Sequence, residues 1–155
     1  MTNITLGGTP VQTVGELPAI GSKAPDFNLT ASKDMSNKSL EDYLGYKIVL
    51  NIFPSVDTGV CGQSVRTFNE KASQLENTKV LCISKDLPFS MERFCGAEGL
   101  DNVVTLTDYK TGEFGKKYGV TLLNGAFETL LSRAVVVLNE EGTVIYVEQV
   151  PEIGI

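Results

Sequence analysis

The chain has 155 residues, enough for one domain with a substantial core, and we expect a single domain over 1–155. Its formal net charge of −6 argues against nucleic acid or an anionic membrane surface as the main partner. The sequence contains no histidine, which removes Cys–His and Ser–His–Asp activation of a nucleophile and the commonest metal ligand.

The three cysteines, Cys61, Cys82 and Cys95, form neither a C-x-x-C pair nor a zinc-type spacing. We therefore expect no metal site, no other cofactor and no disulfide framework of the secreted type. The first residues have neither the basic start nor the apolar core of a signal peptide, and no apolar stretch reaches transmembrane length. The sequence predicts a soluble, cytoplasmic protein.

The first half of the chain predicts a hairpin and then two buried strands. Residues 3–14 alternate in polarity around a Gly-Gly pair, which is typical of a β-hairpin. Residues 27–30 are a short candidate strand, and Ser39 is predicted to cap a short helix. The apolar runs 46–53 and 79–84 predict strands that are buried on both faces.

A helical pattern lies between the two buried strands, because apolar residues recur at steps of four and three. Its face consists of Cys61, Val65, Phe68, Ala72 and Leu75. Strand, helix and strand together predict a right-handed parallel crossover unit.

The second half predicts further helices and a closing hairpin. Pro88 fits the first turn of a helix that carries Phe94 and Cys95 and that Gly96 and Gly99 end. The remaining predicted elements are a short strand at 103–106, a helical face with Phe114 and Tyr118, and an antiparallel hairpin of 134–138 with 144–147, stopped by Pro151. This order of elements indicates an α/β protein.

Cys61 occupies a position that favours a thiolate. It falls in the first turn of the predicted helix, where unpaired N–H groups and the positive end of the helix dipole attract an anion. The hydroxyl of Thr58 lies three residues earlier and can hydrogen-bond a sulfur or a bound oxygen. The alternative is a buried, inert thiol, which is what we expect for Cys82 inside its strand.

The pattern Pro54-xxx-Thr58-xx-Cys61 after an apolar strand resembles the active-site signature of the peroxiredoxins. Further stretches look like the thiol peroxidase branch, the atypical two-cysteine type: T-G-V-C at 58–61, F-C at 94–95 and S-R-A-V-V-V-L at 132–138. The similarity covers nearly the whole chain. It implies a thioredoxin-like fold with an N-terminal β-hairpin and a central mixed sheet flanked by helices.

The resemblance also implies a chemistry. Cys61 would attack a hydroperoxide, either hydrogen peroxide or an alkyl hydroperoxide, and become a sulfenic acid. Arg133 would lie beside the sulfur and Thr58 would bond the peroxide oxygens, while Pro54 would cover the pocket. The alternatives are a solvated charge at a strand edge for Arg133 and a simple strand terminator for Pro54.

The resemblance assigns Cys95 to resolve the sulfenic acid as an intramolecular disulfide; a second buried thiol is the alternative. Because a disulfide requires Cα atoms within about 7 Å, the two helices would unwind locally if they hold the sulfurs farther apart. Four apolar residues are candidates for lining a pocket that accepts alkyl hydroperoxides, or simply for the core: Phe53, Val56, Phe89 and Phe94.

The implied partners are hydroperoxide substrates, thioredoxin or a similar dithiol reductant, and a second copy of the chain in a homodimer. One departure from the family pattern concerns the end of the chain at Ile155, four residues after Pro151. We expect the usual C-terminal helix to be absent, which would leave one face of the sheet uncovered.

Two rival functions remain open. A thiol–disulfide oxidoreductase of the same fold is disfavoured because C-G-Q-S at 61–64 lacks the second cysteine of a C-x-x-C site. A non-enzymatic redox sensor, whose disulfide switches a binding surface, is the other. Peroxide consumption with and without a thioredoxin system separates all three.

Overall fold

The computed structural model describes residues 2–72, 74–99 and 102–153, without the side chains of 59–61, 72 and 96–98. Within this part of the chain the strands are β1 (Asn3–Leu6), β2 (Thr9–Gln12), β3 (Asn28–Ala31), β4 (Asn37–Ser39), β5 (Lys47–Ile52), β6 (Thr78–Ser84), β7 (Val104–Thr107), β8 (Ala134–Leu138) and β9 (Val144–Gln149). The helices are α1 (Gly59–Ala72), α2 (Pro88–Glu98) and α3 (Glu113–Lys117), with a 3-10 turn at Leu40–Tyr43.

A mixed sheet with the strand order β4-β3-β7-β6-β5-β8-β9 forms the centre of the molecule. Its core is parallel: β5 pairs with β6, and β6 with β7. The central strands β5 and β6 are mostly apolar, as expected of strands with both faces covered. The predicted strand–helix–strand unit is therefore confirmed as β5-α1-β6, and α2 makes the next crossover.

Antiparallel strands complete both edges of the sheet. On one side β8 pairs with β5 and β9 with β8, so the predicted closing hairpin is confirmed, with its second strand extending to Gln149. On the other side β3 pairs with both β7 and β4. Strand β4 was not predicted, because its residues Asn-Lys-Ser carry no apolar signal.

The two faces of the sheet bury separate apolar clusters. Alternate residues of β5 and β6, such as Leu50 and Ile83, face one cluster together with the stacked rings of Phe114 and Tyr118, 4.4 Å apart. The intervening residues face a second cluster, which we call the helix-side cluster. It consists of Phe53, Val56, Val65, Val80, Cys82, Met91 and Cys95. This period of two is what a strand buried on both faces requires.

The amino-terminal hairpin predicted around Gly7-Gly8 is confirmed as β1 and β2. After β9 the chain returns to this hairpin, where Glu152 pairs with Thr5 and its carboxylate accepts the N–H groups of Gly7 and Gly8 at 2.9 and 2.8 Å. Ile153 is buried against the same hairpin. The end of the described chain thus adds to the hairpin rather than to the sheet.

Two details of the predicted helices are wrong. Leu75 lies beyond the end of α1 and is 48% exposed, so it does not extend the apolar face. Gly96 lies inside α2, and only Gly99 ends the helix, in a left-handed conformation with φ 66°. An interior glycine costs a helix only about 1 kcal/mol, whereas the left-handed position selects glycine directly. No helix in the described ranges has the length and apolar content needed to cross a membrane.

Candidate active site

The segment that joins β5 to α1 forms one wall of the candidate site. Phe53 and Pro54 follow the strand directly and are both buried. The N–H and the hydroxyl of Thr58 donate to the carbonyl of Ser55 at 3.3 and 3.2 Å. The Thr58 carbonyl accepts the N–H of Gly62 at 2.9 Å, which is the first bond of the helix. Thr58 is therefore the residue from which α1 begins.

Cys61 is the third residue of α1, so the predicted helix start before this cysteine is confirmed. The first N–H groups of a helix lack intrahelical partners and carry a partial positive charge. This backbone environment stabilises an anion. The Cys61 side chain itself lies outside the described part of the structure.

Arg133 lies at the same end of the sheet. Ile52 is paired with Ala134, so the next step of this antiparallel register places Arg133 beside Phe53. The Arg133 carbonyl accepts the N–H of Val150 at 2.9 Å, which ties its backbone to the chain after β9. The half-buried guanidinium donates to the carbonyl of Ile153 at 3.5 Å. A cation is thus held next to the strand end that leads into Pro54.

Cys95 lies on α2 and is only 9% exposed, within the helix-side cluster. Its carbonyl accepts the N–H of Gly99, the residue that ends the helix. Burial in this cluster places Cys95 together with Val65 of α1. A reaction at its sulfur therefore requires α2 to move or to unwind locally.

The start of α1 and the end of α2 are in direct contact. A Cβ atom on Gly62 would lie 3.2 Å from the ring of Phe94 and 3.1 Å from the carbonyl oxygen of Val56. Arg66, one turn farther along α1, lies 5.2 Å from the centroid of the same ring. The residues that follow Cys61 and precede Cys95 thus pack closely, and a Cβ atom at position 62 would require its neighbours to shift by a few tenths of an ångström.

Cys82 has a different environment. It is completely buried, and burial raises the pKa of its thiol to about 12, against the opposing effect of a hydrogen bond from Asn51. That bond runs from Asn51 Nδ2 to the Cys82 sulfur at 3.6 Å, and the Ser64 hydroxyl donates to Asn51 Oδ1 at 3.1 Å. The predicted burial of Cys82 is confirmed, and its thiol is protonated at neutral pH.

Of the four apolar residues predicted to line a pocket or to belong to the core, three lie together and one does not. Phe53 and Val56 are buried in the helix-side cluster, and Phe94 packs against it. Phe89 is 70% exposed at the start of α2, so its predicted place in a pocket or in the core is wrong. The helical face of α2 points Met91 and Cys95 inward, which turns Phe89 toward solvent.

The comparison with family models matches residues 19–154 to the model described as Redoxin. The chain is also 52% identical over 154 residues to thiol peroxidases of Mycobacterium bovis and Mycobacterium tuberculosis, covering 99% of this chain and 92% of each relative. The chain belongs to the thiol peroxidase branch of the redoxin family. The resemblance stated from its motifs is confirmed, and so is the prediction that it is an enzyme of this peroxidase family.

Solved structures of the family agree in fold. A peroxiredoxin-like protein from Aquifex aeolicus superposes with a TM-score of 0.93 at 34% identity, covering all of this chain and 90% of that one. A thiol peroxidase from Chromobacterium violaceum gives a TM-score of 0.89 at 21% identity, with the same coverage. The predicted thioredoxin-like α/β fold is confirmed.

Three polar residues next to the family's signature segment were missed by the sequence analysis. Asn51 and Ser64 link β5 to α1 beneath the first turns of the helix. Asp86, after β6, accepts hydrogen bonds from Ser55 and Val56. Asn51 could have been noticed as the polar residue of an apolar strand, whereas nothing in the local sequence distinguishes Asp86 from a solvated charge.

Proposed function

We propose that the chain reduces hydrogen peroxide and alkyl hydroperoxides through Cys61. The thiolate attacks the terminal peroxide oxygen, an S–O bond forms and the O–O bond breaks. The leaving oxygen takes a proton and departs as water or an alcohol, and Cys61 becomes a sulfenic acid. The observation that carries the proposal is the position of Cys61 in the first turn of α1, directly after Thr58, in a chain of this family.

Three residues assist this step in the proposal. Arg133 supplies the positive charge that favours the thiolate, since the chain has no histidine to do so. Thr58 offers its hydroxyl oxygen to the peroxide while its own proton is donated to the Ser55 carbonyl. Pro54, which is buried and has no N–H, closes the pocket against water.

Cys95 resolves the sulfenic acid in the proposed cycle. Its thiolate attacks the Cys61 sulfur, an S–S bond forms, and the hydroxyl leaves as water after taking a proton. The contact between Gly62 and Phe94 keeps the two segments adjacent, and local unwinding of the two helices brings the sulfurs together. Cys82 is unsuited to this role because its buried thiol keeps its proton.

A dithiol protein such as thioredoxin then reduces the disulfide and becomes oxidised itself. A cytoplasmic location supplies such a reductant, because thiol–disulfide systems keep that compartment reducing. The proposal also includes a homodimer, as the family resemblance implies. Light scattering on the reduced protein tests the dimer directly.

The experiment that tests the proposed function is peroxide consumption coupled to thioredoxin, thioredoxin reductase and NADPH. A peroxidase oxidises NADPH only when both peroxide and thioredoxin are present. An oxidoreductase of the C-x-x-C kind would reduce a disulfide substrate without peroxide. A sensor would consume one equivalent of peroxide and then stop, even with the reductant present.

A further inference from the structure

The loop from Ser55 to Thr58 has to hold a defined conformation, because it presents Thr58 and sets the start of the helix that carries Cys61. Within the loop, the N–H and the hydroxyl of Thr58 both donate to the Ser55 carbonyl. Contacts from other elements are what hold a short surface segment in one conformation.

A carboxylate from outside the loop binds its first two residues, while Asp57 receives an exposed hydrogen bond from Arg93 at 3.4 Å. The Ser55 hydroxyl donates to Asp86 Oδ1 at 2.6 Å, and the Val56 N–H donates to Asp86 Oδ2 at 2.9 Å. The Ser55 oxygen in turn accepts the N–H of Asp57 at 3.1 Å. Three consecutive residues of the loop are thereby attached, directly or through one hydroxyl, to Asp86.

Asp86 itself stands on the rigid end of the sheet. The Ser84 hydroxyl donates to Asp86 Oδ2 at 2.6 Å, and the Asp86 N–H donates back to the Ser84 oxygen at 3.1 Å. The Asp86 carbonyl accepts the hydroxyl of Thr107, which is paired with Ser84 across β6 and β7. Such outer contacts are what hold a functional group within a fraction of an ångström of its working geometry.

We propose that Asp86 is a positioning residue for the reaction of Cys61, holding the 55–58 loop in the conformation that places Thr58 and the first turn of α1. This inference rests on the proposed function for its chemical consequence. A carboxylate suits this position because it has acceptor atoms only, and two hydroxyls and one N–H donate to it.

The role of Asp86 is geometric rather than electrostatic. A negative charge near Cys61 would by itself disfavour the thiolate. If charge dominated, Asp86→Asn would make Cys61 more reactive. If the position of the loop dominates, the same substitution makes Cys61 less reactive. An amide NH₂ then replaces one of the two Asp86 oxygens, both of which accept hydrogen bonds in the wild type.

The test compares three variants with the wild type. Asp86→Asn breaks the acceptor set, and Ser55→Ala removes only the hydroxyl that links Asp86 to Asp57. Asp34→Asn is the matched control: Asp34 also accepts a backbone N–H and a hydroxyl, both from Ser36, at 3.0 and 2.6 Å, but in an exposed turn between β3 and β4. Peroxide rate constants are measured well below the melting temperature and divided by the folded fraction.

We expect the rate constant to fall about tenfold or more in Asp86→Asn, as a misplacement on the ångström scale does, and less in Ser55→Ala. Asp34→Asn should match the wild type. Amide exchange of Val56 and Asp57 should also speed up in Asp86→Asn. A lower melting temperature with an unchanged or higher rate constant per folded molecule in both Asp86→Asn and Ser55→Ala would overturn the proposal, because Asp86 would then be merely structural.

Failure of the proposed function would look different, since the wild type itself would not reduce peroxide. Alkylation of Cys61 by iodoacetamide across pH then decides the inference without peroxide. Slower alkylation at saturating pH in Asp86→Asn, with faster amide exchange in the loop, supports a positioning role. Identical alkylation and exchange in variant and wild type contradicts it.

Discussion

At the scale of single residues, the three thiols differ in how well their surroundings support a thiolate. The backbone of Cys61 lies in the first turn of α1, while Cys82 lies on β6 and is buried in the helix-side cluster. Cys95 lies at the edge of the same helix-side cluster. Cys61 is thus the candidate nucleophile and Cys82 is a core residue. Cys95 is the candidate resolving thiol, which must first become exposed.

Replacing Cys61 and Cys82 in turn tests this distinction. We expect Cys61→Ser to abolish peroxide reduction, because the only thiol at a helix start is lost. Cys82→Ser should keep most of the activity, since its hydroxyl can still accept the Asn51 bond. NADPH oxidation in the coupled assay measures both. Comparable losses in the two variants would refute the assignment of Cys61.

Arg133 is expected to act through its charge. Removing it in Arg133→Met should raise the pKa of Cys61, each unit of pKa being about 1.4 kcal/mol of lost preference for the thiolate, and should therefore slow its oxidation. Thiolate absorbance against pH measures the shift. Lys47→Met is the control, because it removes one exposed positive charge at the opposite end of β5. An unchanged titration of Cys61 would mean that the guanidinium is remote from the sulfur.

Because the pKa of the Cys82 thiol is raised in the folded state, we expect the free energy of unfolding to decrease at alkaline pH. The unfolded thiol loses its proton above about pH 8.5, while the folded thiol keeps it to about 12. The folded state then binds more protons, so the free energy of unfolding falls as the pH rises through this window. At pH 10 the loss is about 2 kcal/mol in wild type relative to pH 7, and Cys82→Ser lacks this contribution.

Urea unfolding at pH 7 and pH 10 measures the difference between the two proteins. Burial also raises the pKa of Tyr43 and Tyr118, so these phenols begin to add their own losses near pH 10, where an unfolded tyrosine titrates. Both proteins contain these tyrosines, so their effect cancels in the comparison. Equal losses of stability in wild type and Cys82→Ser would show that the Cys82 thiol is not the group responsible.

At the scale of elements, the important contact is between α1 and α2. Their packing at Gly62 and Phe94 keeps the two candidate sulfurs in neighbouring segments, and Cys95 is buried there. The proposed cycle therefore requires α2 to open around Cys95, which lies four residues before Gly99 at the end of the helix.

Cys95→Ser should separate the first step from the second. We expect this variant to reduce one equivalent of peroxide per chain and then to stall as a sulfenic acid that over-oxidises at higher peroxide. Cys82→Ser, which also removes a buried thiol, is the control and should turn over. Mass spectrometry of the intact chain follows the added oxygen atoms. Continued turnover by Cys95→Ser would assign resolution to another thiol.

The elements that could be predicted are those with a strong local pattern. The centres of β5 and β6 are apolar runs, and the Gly7-Gly8 pair marks the turn of its hairpin. Two glycines could end α2, and the backbone angle selects Gly99. The strand β4 has no apolar pattern of its own and is defined by its antiparallel pairing with β3.

At the scale of the whole molecule, the sheet brings together residues that are far apart in the chain. Arg133 reaches the end of β5 through the β5–β8 register, and Asp86 reaches Ser55 because β5 and β6 end side by side. Neither of these two long-range placements can be predicted from the local sequence. The family resemblance implies that Arg133 lies beside the Cys61 sulfur, which stays a prediction, whereas the contacts of Asp86 are visible only in the fold.

The most direct measurement of the central claim is peptide mapping of the fully reduced protein after one equivalent of hydrogen peroxide. We expect one intramolecular disulfide between Cys61 and Cys95, with the Cys82 peptide unmodified and the chain migrating as a monomer on a non-reducing gel. A disulfide between Cys61 and Cys82, disulfides only between chains, or a Cys61 that remains reduced would contradict the account.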